Sequence, residues 1–122
     1  MNPCRIAVIP GDGIGAEVIP EGVRVLEALA HRTAALHLEF QYFDWGSERY
    51  LAHGQMMPDG GLETLGAFDA IYFGSAGDPR VPDHITLWEL RLKICQGFEQ
   101  YANVRPARLL RGVRSPLAGI GP

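Results

Sequence analysis

Hydrophobic and polar residues follow two different repeats along the chain, and the change from one to the other predicts the first elements. Residues 5–9 (RIAVI) are mostly apolar and end at Pro10-Gly11, which is typical of a parallel strand buried on both faces. From Ile14 the spacing becomes helical, and the helix is expected to begin between Ile14 and Glu17. Its predicted apolar stripe comprises Val18, Gly22, Val25, Leu26 and Leu29.

Two more strands are predicted further along. Apolar residues recur with a period of two at Leu36, Leu38, Phe40 and Tyr42, which indicates a strand with one better-buried face. Residues 69–73 (DAIYF) are predicted to form a third strand, which ends in the loop of residues 74–79 (GSAGDP). Short helical segments are expected between these two strands, over residues 45–53 and 62–68.

The last predicted helix lies near the middle of the second half of the chain. Thr86 and Glu89 have the spacing of a capping box, so this helix is expected to begin at Leu87. Its apolar stripe comprises Leu87, Leu90, Ile94 and Phe98. A neighbouring face carries Trp88, Arg91 and Cys95. Residues 101–106 are expected to be extended, because Pro106 disfavours a helical conformation for the residue before it.

The alternation of strands and helices predicts an α/β fold, with a mostly parallel sheet flanked by helices. Three or four strands make a thin sheet, and residues 111–122 read as a loop that supplies no closing element. We therefore expect the domain to be incomplete.

Composition and charge exclude several classes of protein. The chain has 122 residues, with 11 basic and 14 acidic side chains and a net charge of −3, which disfavours binding to nucleic acid. No apolar run approaches the roughly 20 residues of a membrane helix, and no signal-peptide pattern is present, so a cytoplasmic protein is expected. Cys4 and Cys95 are too few and too far apart for a disulfide framework or a zinc site.

A glycine-rich turn follows the first predicted strand and opens the first helix. Residues 11–16 (GDGIGA) match the G-x-G-x-x-A form of the dinucleotide-binding fingerprint, in which glycines let the backbone approach a pyrophosphate. The fingerprint also needs an acidic residue about 20 positions later, and Glu39 and Asp44 are imperfect candidates. The other interpretation is that three glycines simply make a tight turn between strand and helix.

Several separated segments together resemble one enzyme family. Residues 9–18 (IPGDGIGAEV), 68–74 (FDAIYFG) and 103–106 (NVRP) are similar to sequence blocks of the β-decarboxylating dehydrogenases, which include isocitrate and 3-isopropylmalate dehydrogenases. Residues 56–59 (MMPD), 81–88 (VPDHITLW) and 100–106 (QYANVRP) resemble the tartrate dehydrogenase/decarboxylase and D-malate dehydrogenase branch. The resemblance implies that residues 1–122 are the N-terminal part of an isocitrate/isopropylmalate dehydrogenase-like subunit, with the remainder absent.

The resemblance also implies a reaction and its cofactors. The family carries out NAD-dependent oxidative decarboxylation of a 2-hydroxy dicarboxylate with the help of Mn²⁺ or Mg²⁺. By this similarity, Ile14 would lie near the adenosine of NAD, and the loop after the third strand would lie near the nicotinamide and ribose. The implied cofactor-binding residues are therefore Ile14, Gly74, Ser75, Ala76, Gly77 and His84. In this family NAD is bound by a different fold, so the glycine turn need not hold a pyrophosphate.

The implied substrate site departs from the family at one position. The family holds substrate carboxylates with arginines, because a planar guanidinium can donate two charge-assisted hydrogen bonds to one carboxylate. Arg105 matches one of these arginines, but the position of another, ten residues earlier, is Cys95, whose thiol carries no positive charge. Arg91, one helical turn before Cys95, is a candidate substitute, and Trp88 is a candidate to shape the pocket.

Most of the family's chemistry matches no segment of this chain. A further arginine, the tyrosine and lysine acid/base pair and the metal-binding aspartates are not found here, so we assign no catalytic and no metal-binding residue. We expect an N-terminal fragment of a D-malate or tartrate oxidative decarboxylase that is inactive alone. A 3-isopropylmalate dehydrogenase-like fragment and a nonenzymatic nucleotide-binding module remain as alternatives. A partial subunit should expose apolar surface, so self-association is also expected.

Overall fold

Three parallel strands form the sheet of this chain, whose structure is a computed structural model that describes residues 3–33, 36–117 and 119. The strands are β1 (Cys4–Gly11), β2 (Leu38–Tyr42) and β3 (Ala70–Ser75), and their order in the sheet is β2-β1-β3. Ile6 of β1 lies opposite Phe40 of β2, and Ile9 of β1 lies opposite Phe73 of β3. The predicted α/β fold with a parallel sheet is confirmed.

Helices connect the strands and follow the last one. Helix α1 (Gly15–Arg32) joins β1 to β2, and two short helices, α2 (Ser47–His53) and α3 (Gly61–Leu65), lie between β2 and β3. After β3, helix α4 (Asp83–Thr86) continues through a π-helical turn (Leu87–Arg91) into α5 (Leu92–Gly97). Within the described residues, no helix is both long enough and apolar enough to cross a membrane.

The core has two apolar layers, one on each face of β1, because successive side chains of a strand point to opposite faces. On one face, Ile6 and Val8 pack against Ile19 and Val23 of α1. On the other face, the buried cluster comprises Ala7, Ile9, Trp45, Met56, Met57, Leu65, Leu90 and Ile94. β1 is therefore buried on both faces, as its continuous apolar sequence predicts.

Helix α1 buries a different stripe from the predicted one. Its buried residues are Gly15, Ile19 and Val23. In contrast, Val18, Val25 and Leu29 of the predicted stripe are 53%, 68% and 50% exposed, so the prediction is wrong at these positions. The helix rests mainly on β1 and β3. The apolar residues on its flank are exposed because no neighbouring element of the described chain covers them.

The helix after β3 begins before its predicted start at Leu87. It begins at Asp83, where the carbonyl of Pro82 accepts the amide of Thr86 at 3.2 Å. The predicted Thr86–Glu89 capping box is wrong, because Thr86 is buried within the helical segment and its hydroxyl donates to the carbonyl of Asp83 at 3.1 Å. Pro82 starts the helix instead, and an acidic residue directly after it complements the positive end of the helix dipole.

The π-helical turn was not predicted from the pattern. The amide of Leu92 bonds to the carbonyl of Leu87, five residues earlier, which defines the wider turn. Leu90 and Ile94 of the predicted apolar stripe are buried, whereas Leu87 and Phe98 are 38% and 36% exposed. The prediction for this stripe is therefore right for its two central residues.

The exposed apolar flank of α1, made up of Ile14, Val18, Val25 and Leu29, generates the first prediction. We expect the chain to self-associate at high concentration, because contiguous exposed apolar surface favours association in water. Light scattering and sedimentation should show a concentration-dependent mass, and Val25→Lys should shift it toward the monomer.

Glu27→Lys is the matched control, since Glu27 is also exposed on α1 and the substitution removes no apolar area from the flank. This control should leave the association unchanged. A chain that stays monomeric at every concentration, or one that Val25→Lys and Glu27→Lys alter equally, would contradict the prediction.

Candidate functional site

The loops after β1 and β3 meet at the carboxyl end of the sheet, where parallel α/β proteins bind ligands. Gly11 lies opposite Ser75 in the strand register, and the amide of Asp12 donates to the carbonyl of Ser75 at 2.8 Å. The Ser75 hydroxyl donates to the carbonyl of Asp12 and accepts the amide of Gly15 at 3.1 Å. These contacts join the start of α1 to the end of β3.

The buried carboxylate of Asp12 connects three segments. Its Oδ1 accepts the backbone amide of Ser47 at 2.6 Å, and its Oδ2 accepts the Ser47 hydroxyl at 2.8 Å. Oδ2 also accepts the amide of Gly77 at 2.8 Å. One side chain, 5% exposed, therefore holds the start of α2 and the loop after β3 in place.

The glycine turn is explained by packing between the two strand ends. A Cβ atom on Gly11 would lie 2.0 Å from the carbonyl oxygen of Ser75, and a Cβ on Gly15 would lie 2.0 Å from the carbonyl oxygen of Pro10. The first amide of α1, that of Gly15, already has partners in Asp12 and Ser75. The geometry favours the tight-turn interpretation over a pyrophosphate cradle at this turn.

An open cleft of about 530 Å³ lies beside this loop junction. Its lining residues are Phe73, Gly74, Ser75, Ala76, Leu87, Arg91 and Arg105. The lining combines residues at the end of β3 with two arginines and includes no aspartate or glutamate. Such a cleft is suited to a small anion, because each guanidinium can donate paired hydrogen bonds to a carboxylate.

A smaller cavity of about 160 Å³ adjoins the cleft. It is lined by Ile71, Phe73, Arg91, Ile94, Cys95 and Gln100. Arg91 lines both spaces, whereas Cys95 lines the smaller cavity and is not among the residues that line the cleft. The structure thus places Arg91 with Arg105 in the lining of the cleft and with Cys95 in the lining of the smaller cavity.

The other predicted site residues lie outside the cleft. Ile14 is 63% exposed and Trp88 is 58% exposed, and neither lines it. His84 is exposed on α4, and Gly77 is held by Asp12 through its amide. Of the predicted cofactor-binding residues, the cleft therefore includes Gly74, Ser75 and Ala76.

A larger cavity of about 680 Å³ lies at the opposite, amino-terminal end of β1 and β2. Its lining includes Glu27, His31, His37 and Glu39. Ligands of parallel sheets bind at the carboxyl ends of the strands. The 530 Å³ cleft lined by Arg91 and Arg105 is therefore the candidate site.

Ion pairs fasten the loop after β3 to α2. Arg80 donates through Nε to Asp78 Oδ1 at 3.0 Å and through Nη2 to Asp78 Oδ2 at 2.7 Å, and Nη2 also contacts Glu48. Hydrogen bonds from the Arg80 side chain and backbone lower the pKa of Asp78 to about 2. Side-chain hydrogen bonds, first to Asp78 and then to Glu48, raise the pKa of Arg80.

Metal binding does not follow from the described part of the chain. Among those residues, no group of three or more histidine, cysteine, aspartate or glutamate side chains is placed to hold a metal ion. The Asp12 carboxylate is already occupied by the Ser47 and Gly77 donors. The described residues therefore do not fit a divalent cation, and we assign none of them as a ligand.

Sequence reasoning missed two features of this site. The first is the network of Asp12, whose partners Ser47 and Gly77 are 35 and 65 positions away in the chain. The contact between Arg80 and Glu48 also joins distant segments. The Asp78-x-Arg80 spacing was the one local signal available for that ion-pair cluster.

A parallel α/β layer with an arginine-lined cleft at the carboxyl ends of its strands is typical of folds that bind small molecules. The family model for isocitrate/isopropylmalate dehydrogenase matches residues 5–120, so the chain belongs to this family.

The similar proteins include both curated sequences and a solved structure. The chain is 57% identical over 122 residues to a probable tartrate dehydrogenase/decarboxylase from Agrobacterium vitis, and 56% identical over 124 residues to the decarboxylating D-malate dehydrogenase of Escherichia coli strain K12. Each match covers 100% of this chain and 34% of the relative. A crystal structure of a β-decarboxylating dehydrogenase from Thermococcus kodakarensis, in its apo form, matches 80% of this chain and 27% of its own, with 34% identity and a TM-score of 0.64. The chain therefore spans about a third of the curated relatives it matches.

The central position of Asp12 generates the second prediction. Asp12→Ala should lower the free energy of unfolding by about 2–3 kcal/mol, because it leaves the two buried Ser47 donors and the Gly77 amide without an acceptor. Urea unfolding measures the loss, and amide hydrogen exchange at Gly77 should become faster.

The matched control is Asp69→Ala, because Asp69 also accepts a backbone amide, that of Arg5 at 2.8 Å, but at an exposed position. Its loss should be about 1 kcal/mol or less. Equal losses for Asp12→Ala and Asp69→Ala, with unchanged exchange at Gly77, would show that the Asp12 contacts do not hold the loop.

The third prediction concerns pH. Because Arg80 depresses the pKa of Asp78, this pair stabilises the folded chain above the ordinary pKa of 3.8, and the stabilisation is lost as the pH falls toward 2. Carboxyl NMR should give a midpoint near 2 for Asp78, and Arg80→Gln should return it toward 3.8.

Arg24→Gln is the control, since Arg24 pairs with Glu21 on the exposed side of α1. It should leave the Asp78 midpoint unchanged. A midpoint that stays near 2 after Arg80→Gln would assign the depressed pKa to another cause.

Proposed function

We propose that this chain is the N-terminal part of an oxidative decarboxylase of D-malate or tartrate and that it supplies part of the substrate and cofactor site. The observation that carries this proposal is the cleft lined by Arg91, Arg105 and the end of β3. The substrate class comes from the relatives, whose names specify tartrate and D-malate. Both are 2-hydroxy dicarboxylates, and a cleft lined by two guanidinium groups suits two carboxylates.

Arg105 is proposed to bind one substrate carboxylate. Its Nε donates to the Oδ1 atom of Asn103 at 3.1 Å, which orients the guanidinium while leaving its terminal nitrogens for a ligand. Trp88 and Cys95, which lie outside the cleft, are proposed to act at its margin, where they would meet the parts of a substrate that Arg105 does not hold.

We propose NAD as the cofactor, which when bound would accept the hydride from the substrate's hydroxyl-bearing carbon. Gly74, Ser75 and Ala76 line the cleft, so their backbone is the proposed contact nearest the substrate. Ser75 uses its hydroxyl within the protein, with Asp12 and Gly15 as partners, so it would contact a cofactor through its backbone. Ile14, Gly77 and His84 are proposed as outer contacts of the same cofactor.

The chain is proposed to be inactive alone. No residue here is assigned to acid/base chemistry, and the described residues do not fit the Mn²⁺ or Mg²⁺ that the family uses. We propose that these groups belong to the part of a subunit that this chain does not match. The composition and the two free cysteines, Cys4 and Cys95, support a cytoplasmic location as part of the proposal.

Complementation tests the function and is the fourth prediction. The chain should not reduce NAD with D-malate or tartrate when assayed alone with Mn²⁺. Co-expression with E. coli D-malate dehydrogenase lacking the segment matched here should restore NAD reduction, and Arg105→Ala should lower kcat/KM by about 30-fold or more, since a carboxylate loses its charged partner.

Arg111→Ala is the matched control, because it also removes one positive charge from an exposed segment but lies outside the cleft lining. It should leave the restored activity unchanged. Activity of the purified chain alone would contradict the proposed inactivity, and restored activity that Arg105→Ala does not alter would remove Arg105 from the site.

Two other functions would be favoured by different results. Preference of the restored enzyme for 3-isopropylmalate over D-malate and tartrate would replace the proposed substrate. Tight binding of NAD by the chain alone, measured by calorimetry, would favour a nonenzymatic nucleotide-binding module.

A further inference from the structure

Positive and negative charges are unevenly divided along this chain. The basic segment, residues 107–117 (ARLLRGVRSPL), contains three arginines and no acidic residue. All 14 acidic residues of the chain lie in residues 1–106, where 8 basic residues leave a net charge of −6. A cationic segment joined to an anionic body is electrostatically complementary to the body of a second copy of the same chain.

The basic segment is also exposed, and it carries apolar as well as charged side chains. It forms no helix or strand, and its arginines are exposed. These arginines make no hydrogen bond or ion pair with another residue that the structure describes. Three of its apolar residues are more than half exposed, namely Leu110, Val113 and Leu117. Both kinds of side chain are therefore free to contact a partner.

The exposed apolar flank of α1 matches this combination of charge and apolar surface. A helix turns by about 100° per residue, so Glu17 and Glu21 lie along one edge of the flank, whereas Glu27 lies on the opposite side of α1. Glu17 and Glu21 are both exposed. Glu21 pairs with Arg24 at 3.0 Å, an exposed contact that another guanidinium can replace. The flank is thus both acidic and apolar, and the basic segment is both basic and apolar.

We propose that two copies of this chain associate by exchanging their basic segments, each of which packs on the α1 flank of the other copy. The arginines of the segment approach Glu17 and Glu21, and its apolar residues cover Val18 and Val25. The two contacts are equivalent under a twofold axis, so the assembly closes as a dimer. Neither contact uses Arg91 or Arg105, and the inference is therefore independent of the proposed function.

The topology favours a second copy over docking within one chain. Helix α1 packs on the face of β1 that carries Ile6 and Val8. The helical residues that precede the basic segment pack, through Leu90 and Ile94, on the opposite face of β1. Within one copy, the structure leaves both the basic segment and the α1 flank exposed. Exchange between two copies covers both surfaces at once.

Exchange of charge between two variants is the fifth prediction. The first variant carries Arg108→Glu, Arg111→Glu and Arg114→Glu, and the second carries Glu17→Lys and Glu21→Lys. Each variant alone should dimerise about tenfold more weakly than the unaltered chain, because like charges then meet at several exposed positions. An equimolar mixture should recover dimerisation, since a negative segment then meets a positive flank and the reverse contact is unaltered. Sedimentation with one variant fluorescently labelled measures the Kd of the mixed dimer.

Two controls keep the number of substitutions constant. Arg108→Lys, Arg111→Lys and Arg114→Lys together retain the charge of the basic segment and should leave the Kd of the dimer nearly unchanged. Glu27→Lys with Glu63→Lys reverses two exposed charges away from the α1 flank, and this pair should also dimerise like the unaltered chain. All the substituted residues are exposed, so each variant should keep the circular dichroism spectrum of the folded chain.

The other arrangements give different results. If the basic segment docked within its own copy, the chain would be monomeric at every concentration. If two α1 flanks packed directly on each other, the second variant would lose dimerisation while the first retained it. Either result, or a mixture of the two variants that stays monomeric, would overturn the proposal.

Discussion

The close approach of the ends of β1 and β3 is the contact on which the rest of this structure depends. The backbones of the two strand ends are in direct contact there. A Cβ on Gly74 would lie 2.1 Å from the carbonyl oxygen of Pro10. The amide of Asp12 donates a hydrogen bond to the carbonyl of Ser75 at 2.8 Å. Only glycine leaves room for this approach. The Asp12 carboxylate then lies within reach of donors from α2 and from the loop after β3, because both segments converge on the same junction.

The candidate cleft combines a rigid wall with less constrained charged groups. Residues 73–76 belong to β3 and its end, which β1 and Asp12 hold in place. Arg91 and Arg105 are exposed side chains, and Arg105 lies in a segment without regular secondary structure. A preorganised backbone with adjustable cationic side chains suits a small flexible anion, since ligand binding then orders two side chains rather than the sheet.

Local patterns predicted most of the fold, and they were wrong where a neighbour decided the outcome. The apolar run of β1 is confirmed, because burial on both faces is a local consequence of strand geometry. In β2, Leu38 and Phe40 of the predicted face are half-buried, whereas Tyr42 is 51% exposed and the prediction is wrong there. The predicted apolar stripe of α1 was wrong at Val18, Val25 and Leu29. The sequence shows which residues are apolar but not which of them the sheet covers. The capping box at Thr86 was wrong because Pro82 provides an earlier start. At the site, Arg91 and Arg105 were identified from pattern and resemblance, while the long-range contacts of Asp12 were beyond any local rule.

The charged groups of the described residues are suited to anion binding and not to metal binding. Binding an anion requires positive groups, and this chain has two of them in one cleft. Oxidation followed by loss of carbon dioxide also needs a metal ion to stabilise the developing negative charge and groups that move protons. No cluster of metal ligands exists among the described residues, and the buried carboxylate of Asp12 already accepts hydrogen bonds from three donors. Under the proposed function, this chain would supply groups that bind a substrate carboxylate, so substrate binding and turnover can be tested separately.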